Sequence, residues 1–505
     1  MKDHSYTDQP FDDFLEAFKS RLHHTLHNRA DVNNLGAERG LPPFVLREIL
    51  STNPFSAFVP KDLGGRGGLA SESMAVISAA SYESLALSLM FGINYALFLQ
   101  PFAKYGNEAA KPSVFDRVLG EQAMGGLMIT EPECGSDALN VRTSHVRELD
   151  EYHIRGTKHW GGLTGWADYW LVTARATTED GKLKRGLDFF LCDMNEPSQH
   201  IPVEEMYDSL GLFMIPYGRS NIDIRVPSVN KLEPESTSPR MLLDLLHRSR
   251  IQFGCMAMGF LQRVLDEALD HCNSRFVGGQ SLFQLDQVQA RLNRLQASYT
   301  ICSAACTHGC DHGGLEYDLS GRGIEANSIK AVVTDLMQEA SHSLLQLVGA
   351  KGYRQSHLAG RAIIDSRPFQ IFEGPNDILY SQVALATLKS MERSGSSDLQ
   401  AFLNAFELTT RASNRLKGLF SFHADAKLPQ RKLVELGKAL ARVIVLEMVI
   451  ELGERGYRAD LIENALISLE HEVRALLSTH QFADSSTVVE GYAEGSSWFS
   501  FASTE

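Results

Sequence analysis

The chain has 505 residues, 44% of them hydrophobic, with 62 acidic against 48 basic side chains and a formal net charge of −14. That length supports several domains around a sizeable core, and the acidic balance argues against nucleic acid as a partner. Seven scattered cysteines, an odd number, read as free thiols in a reducing compartment. The start, Met1-Lys2-Asp3-His4-Ser5-Tyr6, has neither an apolar signal core nor an arginine-rich transit pattern, so a cytoplasmic protein is expected.

From about residue 10 to 125 apolar residues recur at helical spacing, as in Phe11, Phe14, Leu15, Phe18 and Leu22, which predicts a helical N-terminal domain over 1–125. The stretch Gly64-Gly65-Arg66-Gly67-Gly68 lacks the Lys-Ser/Thr ending of a phosphate loop and reads as a turn. Between 126 and 238 short period-two runs, such as Asp188-Phe189-Phe190-Leu191-Cys192 and Ile222-Asp223-Ile224-Arg225-Val226, predict a small β-domain. Helical spacing returns over 239–393, predicting a helical bundle, and a helical extension is expected over 394–505. The fold class is therefore α+β. No run is expected to cross a bilayer: Leu433 to Leu452 is strongly apolar, but Lys438, Arg442, Glu447 and Glu451 interrupt it. The tail from Ser485, polar but carrying Trp498, Phe499 and Phe501, reads as a mobile end or a docking segment.

Cys302, Cys306 and Cys310 share a helix face at i, i+4, i+8 beside His308 and His312. Metal ligation is one reading of that stripe. Small thiols on a core-facing face are the preferred one, and no metal site is expected.

Two clusters carry the chemistry. Glu373 lies in Phe372-Glu373-Gly374-Pro375-Asn376-Asp377, where a carboxylate beside a flexible glycine is placed to reach a substrate carbon. Far upstream, Met128-Ile129-Thr130-Glu131-Pro132-Glu133-Cys134-Gly135-Ser136-Asp137 concentrates hydroxyls and backbone amides around a tight turn. With Lys158-His159-Trp160, Arg275 and Gln346-Leu347-Val348-Gly349-Ala350 they stand in the order of the signatures of the acyl-CoA dehydrogenase family, which the chain resembles from about residue 45 to 390. The C-terminal extension is reminiscent of the very-long-chain members, as is Ile371 to Leu379.

The resemblance implies FAD-dependent α,β-dehydrogenation of an acyl thioester, either acyl-CoA or acyl carrier protein. It implies electron-transfer flavoprotein or another acceptor as redox partner, and a homodimer or homotetramer. Glu373 would be the base, its pKa raised once an acyl chain seals it from water. Leu127, Met128, Ile129 and Thr130 would hold the flavin ring edge, Trp160 would flank it, and Ser136 would serve the flavin phosphate and the substrate. Arg275, Gln346 and Gly349 would contact flavin across a subunit interface, while Asn376 and Asp377 complete the cofactor set. Arg250 and Gly374 would line the substrate.

The chain departs from the family at several points. Trp160-Gly161-Gly162-Leu163 replaces Trp-Ile-Thr/Ser-Asn, so Gly162 lacks the hydroxyl expected near the flavin. Restoring threonine there is expected to tighten the cofactor unless Thr164 already supplies the bond. Pro375 replaces a threonine, Gly278 a phenylalanine, Asp286 a glutamine and Tyr380 an arginine. Two other functions stay open at this point: a flavin oxidase or monooxygenase, with Gly161-Gly162 widening oxygen access, and a non-catalytic scaffold that binds acyl thioesters.

Overall fold

The computed structural model describes residue 7 and residues 9–482, 487–491 and 494. Trp498, Phe499 and Phe501 lie outside the described residues. Helices form the N-terminal part, a seven-stranded sheet the middle, and helices again the remainder.

In the first part, helix α1 (Phe11–His23) buries Phe14, Phe18 and Leu22, one residue per turn on a single face. It packs on α2 (Ala70–Glu83), after which Ser84 caps the next helix by accepting the Leu87 N–H. That next helix, α3, runs Leu85–Tyr105 with a π-helical segment at Ile93–Leu99. It corrects the expectation that no run is apolar enough to cross a bilayer: an 18-residue window of its 21 residues has a mean hydropathy of 1.5, enough by length and composition alone. Nearly all of it is enclosed by protein, because α3 is the core helix around which the first domain is packed.

The sheet runs in the order β1 (Gly125–Met128), β4 (Tyr169–Ala176), β2 (Ser144–Glu148), β3 (Glu151–Gly162), β7 (Tyr217–Pro227), β6 (Val203–Met206), with β5 (Asp188–Asp193) also paired to β4. Strand β7 buries alternate residues, Ile222, Ile224 and Val226 facing inward, as the period-two pattern requires. Strand β1 is a parallel edge strand beside β4, so the segment that follows it emerges at the rim of the sheet.

The third part is built from α4 (Ser238–Ile251), α5 (Phe253–Ser274), α6 (Asp286–His312), α7 (Gly323–Val348) and α8 (Asn376–Arg393). Its cysteine stripe lies in packing: Cys302 and Cys306 are buried, Cys310 Sγ lies 3.8 Å from Met74 Sδ, and His308 pairs with Glu325 at 3.1 Å. Burial pushes the Cys302 thiol up, and its hydrogen bond with Cys310, together with burial, does the same for Cys306.

The extension does not stand apart. Its helical hairpin, α9 (Gln430–Glu454) and α10 (Ala459–Gln481), lies against α6, α7 and α8. Gly437 makes the closest approach, since a Cβ there would sit 1.9 Å from the Tyr380 carbonyl oxygen on α8. Backbone cannot yield as a side chain does. Gly437→Ala is therefore expected to force α9 off α8 and cost about 1–3 kcal/mol in urea unfolding, with the loss greatest for probes in α9 and α10.

Candidate functional site

The Glu373 loop begins where the turn Arg367–Gln370 ends, with the Ile371 and Phe372 N–H groups both donating to the Pro368 carbonyl. Glu373 then takes φ +56 and Gly374 φ +100, before Pro375 leads into α8. A non-glycine residue in left-handed backbone costs on the order of 1–2 kcal/mol, so the conformation must be held from outside. Two buried cations hold it. Arg250 Nε donates to the Glu373 carbonyl at 2.9 Å, and Lys330 Nζ donates to the Gly374 carbonyl at 2.8 Å. Arg250 is itself fixed by Asn327 Oδ1 at 2.8 Å, and Lys330 by Asn376 Oδ1 at 3.0 Å. Arg250 is thus no solvated helix charge: 8% exposed, it clamps the loop.

The carboxylate is sealed. Glu373 Oε2 is buried with no hydrogen-bond partner, although the residue as a whole keeps some surface. Desolvation raises its pKa, against the opposing pull of Arg250, the Ser249 hydroxyl and Lys330. Lys330 is pushed down to about 7 by its own burial, partly countered by Glu373. The Glu373 N–H meets no acceptor among the described residues, which leaves an unused donor beside an unused base. Phe253, Phe369 and Phe372 wall this side, with ring centroids 4.9–6.0 Å apart. Asn376 is committed inside the protein: its amide donates to Ala331 O, Thr334 Oγ1 and Asp335 Oδ1. Asp377 is exposed and pairs with Lys438 of α9 at 3.3 Å. Their side chains hold the loop stem and the extension, where the sequence suggested cofactor contact.

Across the sheet the second cluster is organised by a buried ion pair. Lys158 Nζ reaches Glu131 Oε1 at 2.8 Å, and also bonds Ile129 O and Thr173 Oγ1. Glu131 further accepts the Arg142 and Thr143 N–H groups, so its charge is fully met. The Met128 carbonyl is taken by Thr173 and that of Thr130 by the His159 N–H. Leu127 and Met128 are buried, Ile129 and Thr130 half-buried, and Ser136 lies exposed on the turn beyond.

At Trp160 the β3–β7 ladder slips between His159 and Gly161, φ becomes +57, and the indole is 50% exposed, 4.5 Å from the Tyr207 ring. That is an aromatic face offered at the rim beside the segment 127–130. Gly162 is not an open gap. A Cβ there would sit 2.4 Å from Ile93 Cδ1, so the π-helical part of α3 has moved into the space a side chain would take. Thr164 does not stand in for the missing hydroxyl either, because it is buried and donates to the Gly161 carbonyl at 2.6 Å. Ile93 thus fills the space beside Gly162 that was expected to widen oxygen access.

Gln346 and Gly349 line a cleft of about 310 Å³ with His342, Leu345, Ala350 and Tyr353. Gly349 sits at φ +71 with nothing within 4 Å of a Cβ, so a backbone-hugging ligand has room there. Arg275 is exposed at the end of α5 and begins a hairpin whose Gly278 and Gly279, at φ +60 and +88, form its turn. The sequence reading missed Lys330, Asn327 and the Glu131–Lys158 pairing. Lys330 did leave a signal, as a lone cation in the apolar run Ile329 to Val333.

Comparison with known proteins shows similarity in sequence and in fold. The profile of the acyl-CoA dehydrogenase C-terminal domain matches residues 240–388, and that of the middle domain matches residues 126–223. An acyl-CoA dehydrogenase of Bacillus subtilis is 25% identical over 63% of this chain and 83% of its own length. The mitochondrial very long-chain specific acyl-CoA dehydrogenase of Homo sapiens is 25% identical over 77% of this chain, which spans 61% of that relative. The solved acyl-CoA dehydrogenase of Bacillus anthracis, complexed with FAD, superposes with a TM-score of 0.77 at 17% identity, covering 94% of this chain and 91% of that one. Coverage that high carries the likeness of fold into the extension.

Gly162→Thr alone is expected to cost about 1–3 kcal/mol in thermal or urea unfolding, because Ile93 is already in place. Adding Ile93→Val deletes the clashing Cδ1 and should recover most of that loss; an equally unstable double variant would refute the packing argument.

Proposed function

We propose that the chain is a member of the acyl-CoA dehydrogenase family, an FAD-dependent oxidoreductase that removes the α-proton and β-hydride of an acyl thioester. The observation that carries this reading is Glu373: a desolvated carboxylate whose Oε2 has no hydrogen-bond partner, with its own N–H free beside it. Oε2 takes the α-proton, and the raised pKa brings the group toward the range in which it accepts a proton at neutral pH. The Glu373 N–H donates to the thioester oxygen as that oxygen gains charge, the role of an oxyanion hole. Arg250 and Lys330 keep both groups aimed by gripping the Glu373 and Gly374 carbonyls. The phenylalanine wall and the substrate chain keep water from the base.

The residues present fit a flavin. The Trp160 face, the rim segment 127–130 and the Gln346–Gly349 cleft would hold it, and its chemistry when bound is acceptance of the β-hydride, which no side chain performs. Either acyl-CoA or an acyl carrier protein suits the class of thioester proposed. An electron-transfer flavoprotein is the acceptor this reading assigns, and a homo-oligomeric, cytoplasmic protein is part of it, supported by the unpaired thiols and the exposed Arg275 hairpin.

Glu373→Gln is expected to keep flavin and ligand binding while slowing anaerobic flavin bleaching by acyl thioesters at least about 10²-fold. Bleaching at the parental rate with the best thioester rejects the assignment. The same variant has a reading without substrate. A carboxylate with a raised folded pKa contributes stability that is complete below its usual value of 4.5 and is lost as pH rises through the folded pKa. The Gln variant should therefore gain stability over the parent as pH rises to 7, and match it most closely at the acidic end. Arg275→Ala should weaken flavin retention and self-association together, measured by absorbance and sedimentation. Unchanged values for both would remove Arg275 from the cofactor set.

A further inference from the structure

One carboxylate ties both stems of the Glu373 loop. Asp335 Oδ1, on α7, accepts from Gln370 Nε2 at 2.7 Å and from Asn376 Nδ2 at 2.8 Å, residues three before and three after Glu373. Its Oδ2 accepts the Tyr380 hydroxyl at 2.6 Å. A carboxylate accepting three such bonds in a part-buried setting calls for a cation beside it. Lys330, on the same helix, is spent on Gly374 O and Asn376 Oδ1.

The charge comes from the extension. Arg442, on α9 and 8% exposed, donates from Nη1 to the Tyr380 hydroxyl at 3.3 Å, and its Nη2 lies 3.7 Å from Asp335 Oδ2. Its Nε donates to Glu472 of α10 at 2.5 Å, and Glu472 lies 2.6 Å from Arg294 Nη1 on α6. The guanidinium is thus fixed on one side by the hairpin's second helix and on the other by the pair that anchors the loop. We infer that the C-terminal extension is a brace for the catalytic loop, and that Arg442 is a positioning residue acting on Glu373 through Tyr380 and Asp335. The catalytic consequence rests on Glu373 being the base; the brace does not.

The test is amide hydrogen exchange across residues 369–377 of the full-length protein without substrate, compared among Arg442→Met, Arg442→Lys and Tyr380→Phe. Lys432→Met serves as control, because it removes contacts between α9 and the His480 and Phe482 carbonyls without touching Asp335. Arg442→Met and Tyr380→Phe should speed exchange in the loop at least about tenfold, with kcat falling by a similar factor while KM and FAD content hold; Arg442→Lys should recover part of both, and Lys432→Met should leave the loop at parental rates. Parental exchange in folded Arg442→Met and Tyr380→Phe overturns the inference, as does a rise spread evenly over α5 to α8. If Arg442→Met does not fold, Arg442→Lys and Tyr380→Phe are judged by the same criteria. Failure of Glu373 as base would appear separately, as parental bleaching in Glu373→Gln with the loop still protected.

Discussion

The Glu373 loop depends on a left-handed glutamate held by two cations that touch the loop backbone and not the carboxylate. Had Arg250 or Lys330 paired with the carboxylate directly, its pKa would fall and it would lose its usefulness as a base. Both instead donate to the carbonyls at 373 and 374, so positive charge sets the loop's conformation and leaves Oε2 without a partner. Much else serves this separation. Asn327 and Asn376 orient the two cations, and Gly374 continues the positive-φ turn, where a Cβ would lie 2.9 Å from Leu379 Cδ2.

The segment after β1 uses buried charge the other way. Glu131 and Lys158 are fully paired and have no chemistry left to offer; what they do is fix the segment after β1 against β3. Breaking such a pair costs several kcal/mol because one charge is left alone, which makes it a rigid joint. The sheet side thus holds a satisfied ion pair, and the helical side a carboxylate whose Oε2 has no partner.

The α, β, α succession was legible because periodicity reports burial directly, as in the alternation along β7 and the one-residue-per-turn face of α1. Glu373 was legible because a motif marks its place. The parts that stayed hidden depend on contacts between distant segments. No local pattern announces that Ile93 fills the space beside Gly162, or that Asp335 meets residues from both stems of the loop and from the extension. Gly162 reads as a missing hydroxyl in one dimension and as a packed contact in three. The α3 helix was misread for a related reason, since attention to charge interruptions elsewhere passed over a run whose only charged residue, Lys104, lies near its end.

That helix has a bearing on how the chain is made. Residues Leu85–Tyr105 end up against Gln252 and Met256 of the later bundle, with Gln252 donating to the Gly92 carbonyl and the Met256 methyl crowding Gly92. About 150 residues separate the end of α3 from those partners. At roughly 5–20 residues per second, synthesis leaves this apolar segment without its final covering for about 8–30 s after it emerges. During that interval it has the hydropathy that membrane-targeting and holding factors bind. Packing on α1 and α2, which precede it in the chain, is the covering available to α3 in that interval.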